Sequence, residues 1–393
     1  MTTVNWDTLI VNAKVAAEEI TWELGYAAWS GGRIVSLGPM EELDESLAAS
    51  AASRIDAAGS WLLPGFVDVH IHGGYGSDVM DATKEALDTI TKFHNSRGTT
   101  TIVPTTVTQS REAIEAVLRA VSDYVREGSP YARVAGVHLE GPFISPKWPG
   151  AQNPSFIVNP RLDWVDAWTA EYPGLIKLVT LAPEREGAPA VIRRLAEQGI
   201  AVAAGHTDAT YDQILEAVSY GLGHAVHTFN AMTGLHHRNP GVVGAVLTED
   251  SIHAEIIADG HHVHPAGIKL LTLAKRSDNL LLITDAISAA GLGNGEYDLG
   301  GLPVIVEEGV ARLKEGNSLA GSTLTMIDAL RFMVERIGLS VEEASRLGSR
   351  NPAKAIGLFQ ETGSLAAGKL ADALLVSTDL QIEQVWVGGA AKL

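Results

Sequence analysis

The chain has 393 residues, 46% of them hydrophobic, and no cysteine, so disulfides, thiolate nucleophiles and cysteine-held metals are excluded and any metal must be bound by His, Asp and Glu. With 29 basic against 47 acidic residues the formal charge is −18, the wrong sign for a nucleic acid or an anionic membrane, and an anionic substrate would need a local positive receptor. No apolar run reaches the roughly 18 residues that span a bilayer, and the opening MTTVNWDTLIVNAK lacks the basic-then-apolar pattern of a secretory signal, so a cytoplasmic location is expected.

Residues 1–60 carry short β-like pieces, TLIVNAKV and YAAWSGGRIVSLG, with Gly-Gly turn chemistry. From residue 61 the character changes. Eight apolar or β-branched runs follow in order: GFVDVHIH, TTTIVPTT, RVAGVHLE, LIKLVTLAP, IAVAAGH, HAVHTF, HAEIIADG and NLLLITDA. Between most of them lie stretches of helical spacing, such as Lys84 to Arg97, Arg111 to Arg126, Ala188 to Gln198 and Pro265 to Lys275. Eight buried strands alternating with helices predict an α/β fold, a (β/α)8 TIM-type barrel over residues 61–359 with its site at the C-terminal strand ends. Residues 287–321 interrupt the last strand-to-helix connection with Gly-rich turns and a hairpin through LPVIVEEGVARL, an insertion of the length used for lids. The tail, 360–393, returns to short β-like pieces. Neither end is long enough to bury a core alone, so both are expected to join in one small β-sandwich domain.

In a strand, alternate side chains share a face, which sets Asp68, His70 and His72 together in GFVDVHIH. Taken alone, that pair fits satisfied core histidines as well as metal ligands. In RVAGVHLEGPF, Glu140 shares a face with His138 and precedes a Gly-Pro that ends the strand; His206 ends AVAAGH, His227 lies in GHAVHTFNAM, and Asp285 follows LLLIT. A carboxylate buried at a barrel mouth requires a cation. Glu140, His206 and His227 supply three ligands for Zn²⁺ or Fe²⁺ with an open position for water. Asp285 is then the natural base, with a helix N-cap as its alternative role. His70 and His72 have the capacity for a second ion beside the first; His138, one pleat below Glu140, reads equally as support or as core.

In this order, GFVDVHIHGGYG, HLEGPF, GHTDA, HTFNAM, the IADGHH run, TDA and LAGSTLTM resemble the N-acetylglucosamine-6-phosphate deacetylases of the amidohydrolase superfamily, over nearly the whole chain. The resemblance implies metal-dependent hydrolysis of N-acetyl-D-glucosamine 6-phosphate to D-glucosamine 6-phosphate and acetate, in amino-sugar catabolism. The alternatives are an N-acetylgalactosamine-6-phosphate deacetylase or an amidohydrolase acting on a related amide. It also implies that Glu140, His206 and His227 bind the main metal and that Asp285 is catalytic acid and base. Substrate contacts are implied at Ala151, Gln152, Asn230, Ala231, Arg238, His262, Leu319 and Ala320, with Arg238 and His262 as receptors for the sugar phosphate and one of them crossing from the partner of a homodimer. Some family members have His where Gln152 stands; a Gln amide donates a hydrogen bond but cannot become cationic. Some also replace both histidines of the HxH pair, so one or two ions per subunit remain open.

Overall fold

A computed structural model of the chain describes residues 6–275 and 278–392; the outermost residues of the expected terminal domain, 1–5 and 393, lie outside them. Among the described residues, eight parallel strands form the barrel, β1 Phe66–Ile71, β2 Thr99–Thr106, β3 Val137–Glu140, β4 Ile176–Leu181, β5 Ala201–Ala204, β6 His224–Ala225, β7 His253–Ile257 and β8 Leu280–Ile283, and the short Arg133–Val134 adds a ninth strand beside β2. Each of β2 to β8 pairs with the strand before it, for instance Glu140 with Thr180, Ala204 with Ala225 and Ile257 with Ile283. The ring closes where the chain leaving β8 meets β1. There the Asp285 N–H donates to the His70 carbonyl and the His72 N–H to the Ala286 carbonyl, both at 2.9 Å. The fold is therefore an α/β barrel of the (β/α)8 type.

Eight helices follow the strands in turn: α1 Lys84–Asn95, α2 Arg111–Glu127, α3 Leu162–Glu171, α4 Ala188–Glu197, α5 Tyr211–Tyr220, α6 Gly241–Thr248, α7 Pro265–Ala274 and α8 Met326–Phe332. Their residues account for both their faces and their ends. In α2 the buried Ile114, Val117, Leu118, Val121 and Tyr124 form one apolar stripe, Ser110 caps the first turn by accepting the Ala113 N–H at 3.2 Å, and Gly128 stops the helix at φ 85°. In α5, Thr210 and Gln213 cap each other reciprocally. The strands are covered on both sides, so β1, β2, β3 and β8 are buried throughout, the polar residues of β1, β2 and β3 included.

The two chain ends share one sheet. Thr8–Ala16 pairs antiparallel with Thr21–Ser30, which pairs with Arg33–Pro39; Trp61–Pro64 joins Thr8–Ala16 in parallel and Ala373–Val376 in antiparallel register, and Ile382–Val387 extends the sheet. Trp29 and Trp386, from opposite ends of the sequence, meet edge to face in its core with ring centroids 5.2 Å apart. The chain passes from this sheet into β1 at Gly65, where a Cβ would lie 2.2 Å from the Thr100 hydroxyl oxygen; only glycine fits. Between β8 and α8, three short strands, Gly295–Leu299, Leu302–Glu307 and Val310–Leu313, form a separate antiparallel sheet. The expected hairpin through LPVIVEEGVARL is thus part of a three-stranded unit, seated on Val107, Ile287 and Ala289 at the C-terminal end of the barrel.

Candidate active site

A cavity of about 480 Å³ opens at that end of the barrel. On its floor the imidazoles of His206 and His227 come within 3.2 Å of each other, Nε2 to Nε2, and stand 3.2 and 3.0 Å from Glu140 Oε1. His70 Nε2 lies 3.3 Å from the same oxygen, and His72 Nε2 lies 3.3 Å from Glu140 Oε2. Glu140 therefore sits between two groups of metal-ligating atoms, one with His206 and His227 and one with His70 and His72. Asp285 Oδ1 is 3.2 Å from His72 Nε2 and 3.6 Å from His70 Nε2.

The outer nitrogen of every one of these rings has an acceptor. Nδ1 of His206 donates to the Trp148 carbonyl at 3.1 Å, that of His227 to the Asn230 carbonyl at 3.2 Å, that of His72 to the Thr105 carbonyl at 3.2 Å, and that of His70 to Glu255 at 2.8 Å. A neutral imidazole protonated at Nδ1 has its lone pair at Nε2. Four lone pairs thus converge on a carboxylate, and His70 Nε2 is buried with no hydrogen-bond partner. Donor atoms facing one another in this way need a cation among them, and the set of imidazole and carboxylate fits Zn²⁺ or Fe²⁺. Without one, protons take its place. Burial disfavours a charged His72, but the hydrogen bonds that it donates to Asp285 and Glu140 override burial and push it up to about 9. Burial likewise works against ionised Asp285 and Glu140; the charge on His70, with the other rings, outweighs it and holds both carboxyls below the usual range.

The backbone at this site is itself unusual. His206, His227 and Asp285 have φ of 48°, 28° and 51°, in the left-handed region that side chains other than glycine seldom enter. Each lies just past the end of its strand, where the left-handed step turns the side chain toward the barrel axis. The turn after β5 is fastened from outside: Glu184 accepts the Thr207 hydroxyl at 2.5 Å and the Asp208 N–H at 3.0 Å.

Of the residues expected to touch substrate, Ala151, Gln152, Asn230, Ala231, His262 and Leu319 line the cavity, together with His72, Glu140, His206, His227 and Asp285. Gln152 is fixed at both ends of its amide: Nε2 donates to Glu140 Oε2 and Oε1 accepts the Thr108 N–H, both at 2.6 Å. One N–H of Gln152 is left for the cavity. His262 is held by Asp259, its Nδ1 donating to Oδ2 at 2.7 Å. Ala320 is buried behind Leu319 and is not part of the lining. Arg238 lies elsewhere in this subunit, exposed beside an open depression with Asp208 and Tyr211, its guanidinium 2.8 Å from His237 Nε2. His138 faces away from the cavity, bonded to the Thr180 hydroxyl at 2.7 Å.

Lys147 and Trp148 also line the cavity, and Lys147 pairs with Asp208 at 2.6 Å. Neither belongs to a chemical motif, and a lone lysine in a loop gives no sign of its direction. Glu255 is different. An acid in the middle of HAEII, a strand otherwise buried and apolar, carries the same demand for a partner that singled out Glu140, and its partners are His70 and His224.

Solved structures resemble this chain along its full length. That of an N-acetyl-D-glucosamine-6-phosphate deacetylase variant from Mycobacterium smegmatis, in complex with N-acetyl-D-glucosamine-6-phosphate, superposes with a TM-score of 0.92 at 33% identity, covering 98% of this chain and 99% of the other. By sequence, the chain is 40% identical over 380 residues to the N-acetylglucosamine-6-phosphate deacetylase of Bacillus subtilis, spanning 95% of this chain and 94% of that protein. It is also 40% identical over 328 residues to the N-acetylgalactosamine-6-phosphate deacetylase of Escherichia coli O157:H7, spanning 84% and 86%. The amidohydrolase family profile matches residues 61–392, from the last strand before the barrel almost to the end of the tail. A match of that extent, over a barrel whose strand ends carry the histidines and carboxylates just described, establishes that the chain belongs to the amidohydrolase family and, within it, to the N-acetylglucosamine-6-phosphate deacetylases.

Proposed function

We propose that this chain hydrolyses the acetamide of N-acetyl-D-glucosamine 6-phosphate, releasing D-glucosamine 6-phosphate and acetate in amino-sugar catabolism, as a cytoplasmic homodimer. The observation that carries the reading is the convergence of the His206, His227, His70 and His72 Nε2 atoms on Glu140, with Asp285 beside them at the floor of a cavity. Glu140, His206 and His227 would hold the main Zn²⁺ or Fe²⁺. A divalent ion there would supply Lewis acidity, which brings the pKa of water down to about 7 and draws electron density from a carbonyl.

The chain's own groups do the rest. Asp285 is held ionised, so it can accept the proton of the attacking water. The resulting carboxylic acid then protonates the sugar nitrogen, which cannot depart from the tetrahedral carbon as an amide anion. Gln152 keeps Glu140 in place with one N–H and directs the other toward the acetyl oxygen. The methyl group meets the apolar side chains of Ala151, Leu299 and Leu319. His262 and Lys147 are cationic or donor groups within the cavity suited to a phosphate, and Arg238 reaches a phosphate in the second subunit rather than its own.

Acetate release is the direct test. With metal quantified alongside, kcat/KM should be highest for N-acetyl-D-glucosamine 6-phosphate among its galacto epimer and the two unphosphorylated sugars. Faster turnover of the galacto epimer would move the assignment to the second relative's substrate, and no release from any of them would remove the deacetylase reading.

A further inference from the structure

One carboxylate in the barrel interior takes no part in the chemistry above. Glu255, midway along β7, is fully buried. Its Oε2 accepts the Nδ1–H of His70 at 2.8 Å and its Oε1 the Nε2–H of His224 at 2.8 Å, while the main-chain N–H of His227 approaches Oε2 at 3.3 Å. No lysine or arginine is among these partners. Burying an ionised carboxylate costs several kcal/mol unless positive charge compensates it. Two of the three groups that reach Glu255 belong to residues on opposite halves of the proposed metal centre: the ring of His70 and the backbone of His227.

The far side of the His70 ring shows where compensation enters. Its Nε2 is buried, has no hydrogen-bond partner, and faces Glu140 Oε1 at 3.3 Å and Asp285 Oδ1 at 3.6 Å. An imidazole tied to a carboxylate through Nδ1 is locked as the Nε2 ligand tautomer and made a stronger base toward a cation. A cation at Nε2, shared with His72 and Glu140, gives the lone pair a partner and balances Glu255 through the ring.

We propose that Glu255 is a positioning residue that commits His70 to the divalent cation that His70, His72 and Glu140 would hold, so that the affinity of that position depends on Glu255. The inference rests on the reading of the histidine and carboxylate group as a metal centre, and is independent of which sugar is hydrolysed. The test counts ions. Wild type, Glu255→Gln, His70→Asn and the double variant are stripped, reloaded with Zn²⁺ and desalted; zinc per subunit is measured by mass spectrometry, and the weaker site is titrated against a chelating indicator. Wild type should hold two ions. Glu255→Gln should hold one tightly, with the other weakened about 10- to 100-fold, and the double variant should lose no more than His70→Asn alone. Wild-type affinity at both sites in Glu255→Gln, or saturation of wild type at one ion, overturns the proposal.

Retention of the first ion reports that a variant is folded. If Glu255→Gln does not fold, wild type still decides: the ¹⁵N spectrum of the zinc-loaded protein should show His70 protonated at Nδ1, and a proton at Nε2 overturns the proposal. Failure of the deacetylase reading would look different, namely two bound ions and no acetate.

Discussion

Two roles compete for Asp285, proton transfer to a substrate nitrogen and a share in holding a cation, and it stands 3.2 Å from His72 Nε2. Substitution separates them. Asp285→Asn keeps the shape and an oxygen donor but cannot carry a proton, so kcat should fall by about 10²–10⁴ while zinc content stays near wild type; loss of zinc instead would make Asp285 chiefly a ligand. His72 gives a second expectation at this scale. In the metal-free protein its pKa is raised to about 9 from 6.5. The proton therefore contributes stability that is fully present below pH 6.5 and is lost as pH rises through about 9. The melting temperature of the stripped protein should fall across that window, whereas the zinc-loaded protein, with a cation already there, should show little of this decline. The same proton must leave when metal enters, so zinc uptake near pH 8 should acidify a weakly buffered solution. A dye such as phenol red would read it.

At the scale of elements, the residues that announced the site are those that end strands. Alternation fixes which side chains share a face, and Glu140, His206, His227 and Asp285 each follow an apolar run, so their meeting at one end of a barrel could be read from the sequence. The central strands and their helices were equally legible, because burial on both faces leaves apolar or β-branched runs such as LLLI in β8 and TTTIVPTT in β2, and α2 repeats its stripe from Ile114 to Tyr124. Less could be read where pairing is long-range. Nothing local says that Trp61–Pro64 pairs with Ala373–Val376, more than 300 residues away, or that Gly295–Leu299 adds a third strand to the hairpin. Nor does a loop's composition say that Lys147 lies at the edge of the cavity, its ammonium on Asp208, while Arg238 lies apart from it. The inserted sheet contributes Leu299 to the lining, with Ser318, Leu319 and Gly321 following it. Replacing residues 294–317 by a short Gly-Ser turn should leave zinc content unchanged, since no metal-ligating residue lies there, but raise KM by about tenfold or more by opening the cavity to water.

For the molecule as a whole, a charge of −18 repels the substrate that the site is proposed to accept. Attraction must be local, and within one subunit the cavity offers Lys147 and His262. Lys147 already answers Asp208. An arginine contributed by a second copy would supply the missing charge, and Arg238, exposed on the loop before α6 and away from its own cavity, is the residue we propose for it. Complementation separates the two arrangements. Arg238→Ala and Asp285→Asn should each be poorly active alone; mixed and allowed to exchange subunits, they should regain up to about a quarter of wild-type activity, because hybrid dimers then hold one site with both groups intact. No recovery would place Arg238 in service of its own subunit or of none.

The left-handed turns at His206, His227 and Asp285 have an effect on durability that is separate from turnover. Each such torsion costs about 1–3 kcal/mol, borne by the polypeptide whether or not it ever meets a sugar. Glycine would relieve it. Asp285→Gly, inert as a catalyst, should consequently outlast its parent on heating when both are stripped of zinc and held above pH 9, where His72 has lost the proton that Asp285 would otherwise hold, with a midpoint higher by about 2 °C or more. Selection for heat tolerance alone would therefore erode the very residues that make this protein an enzyme.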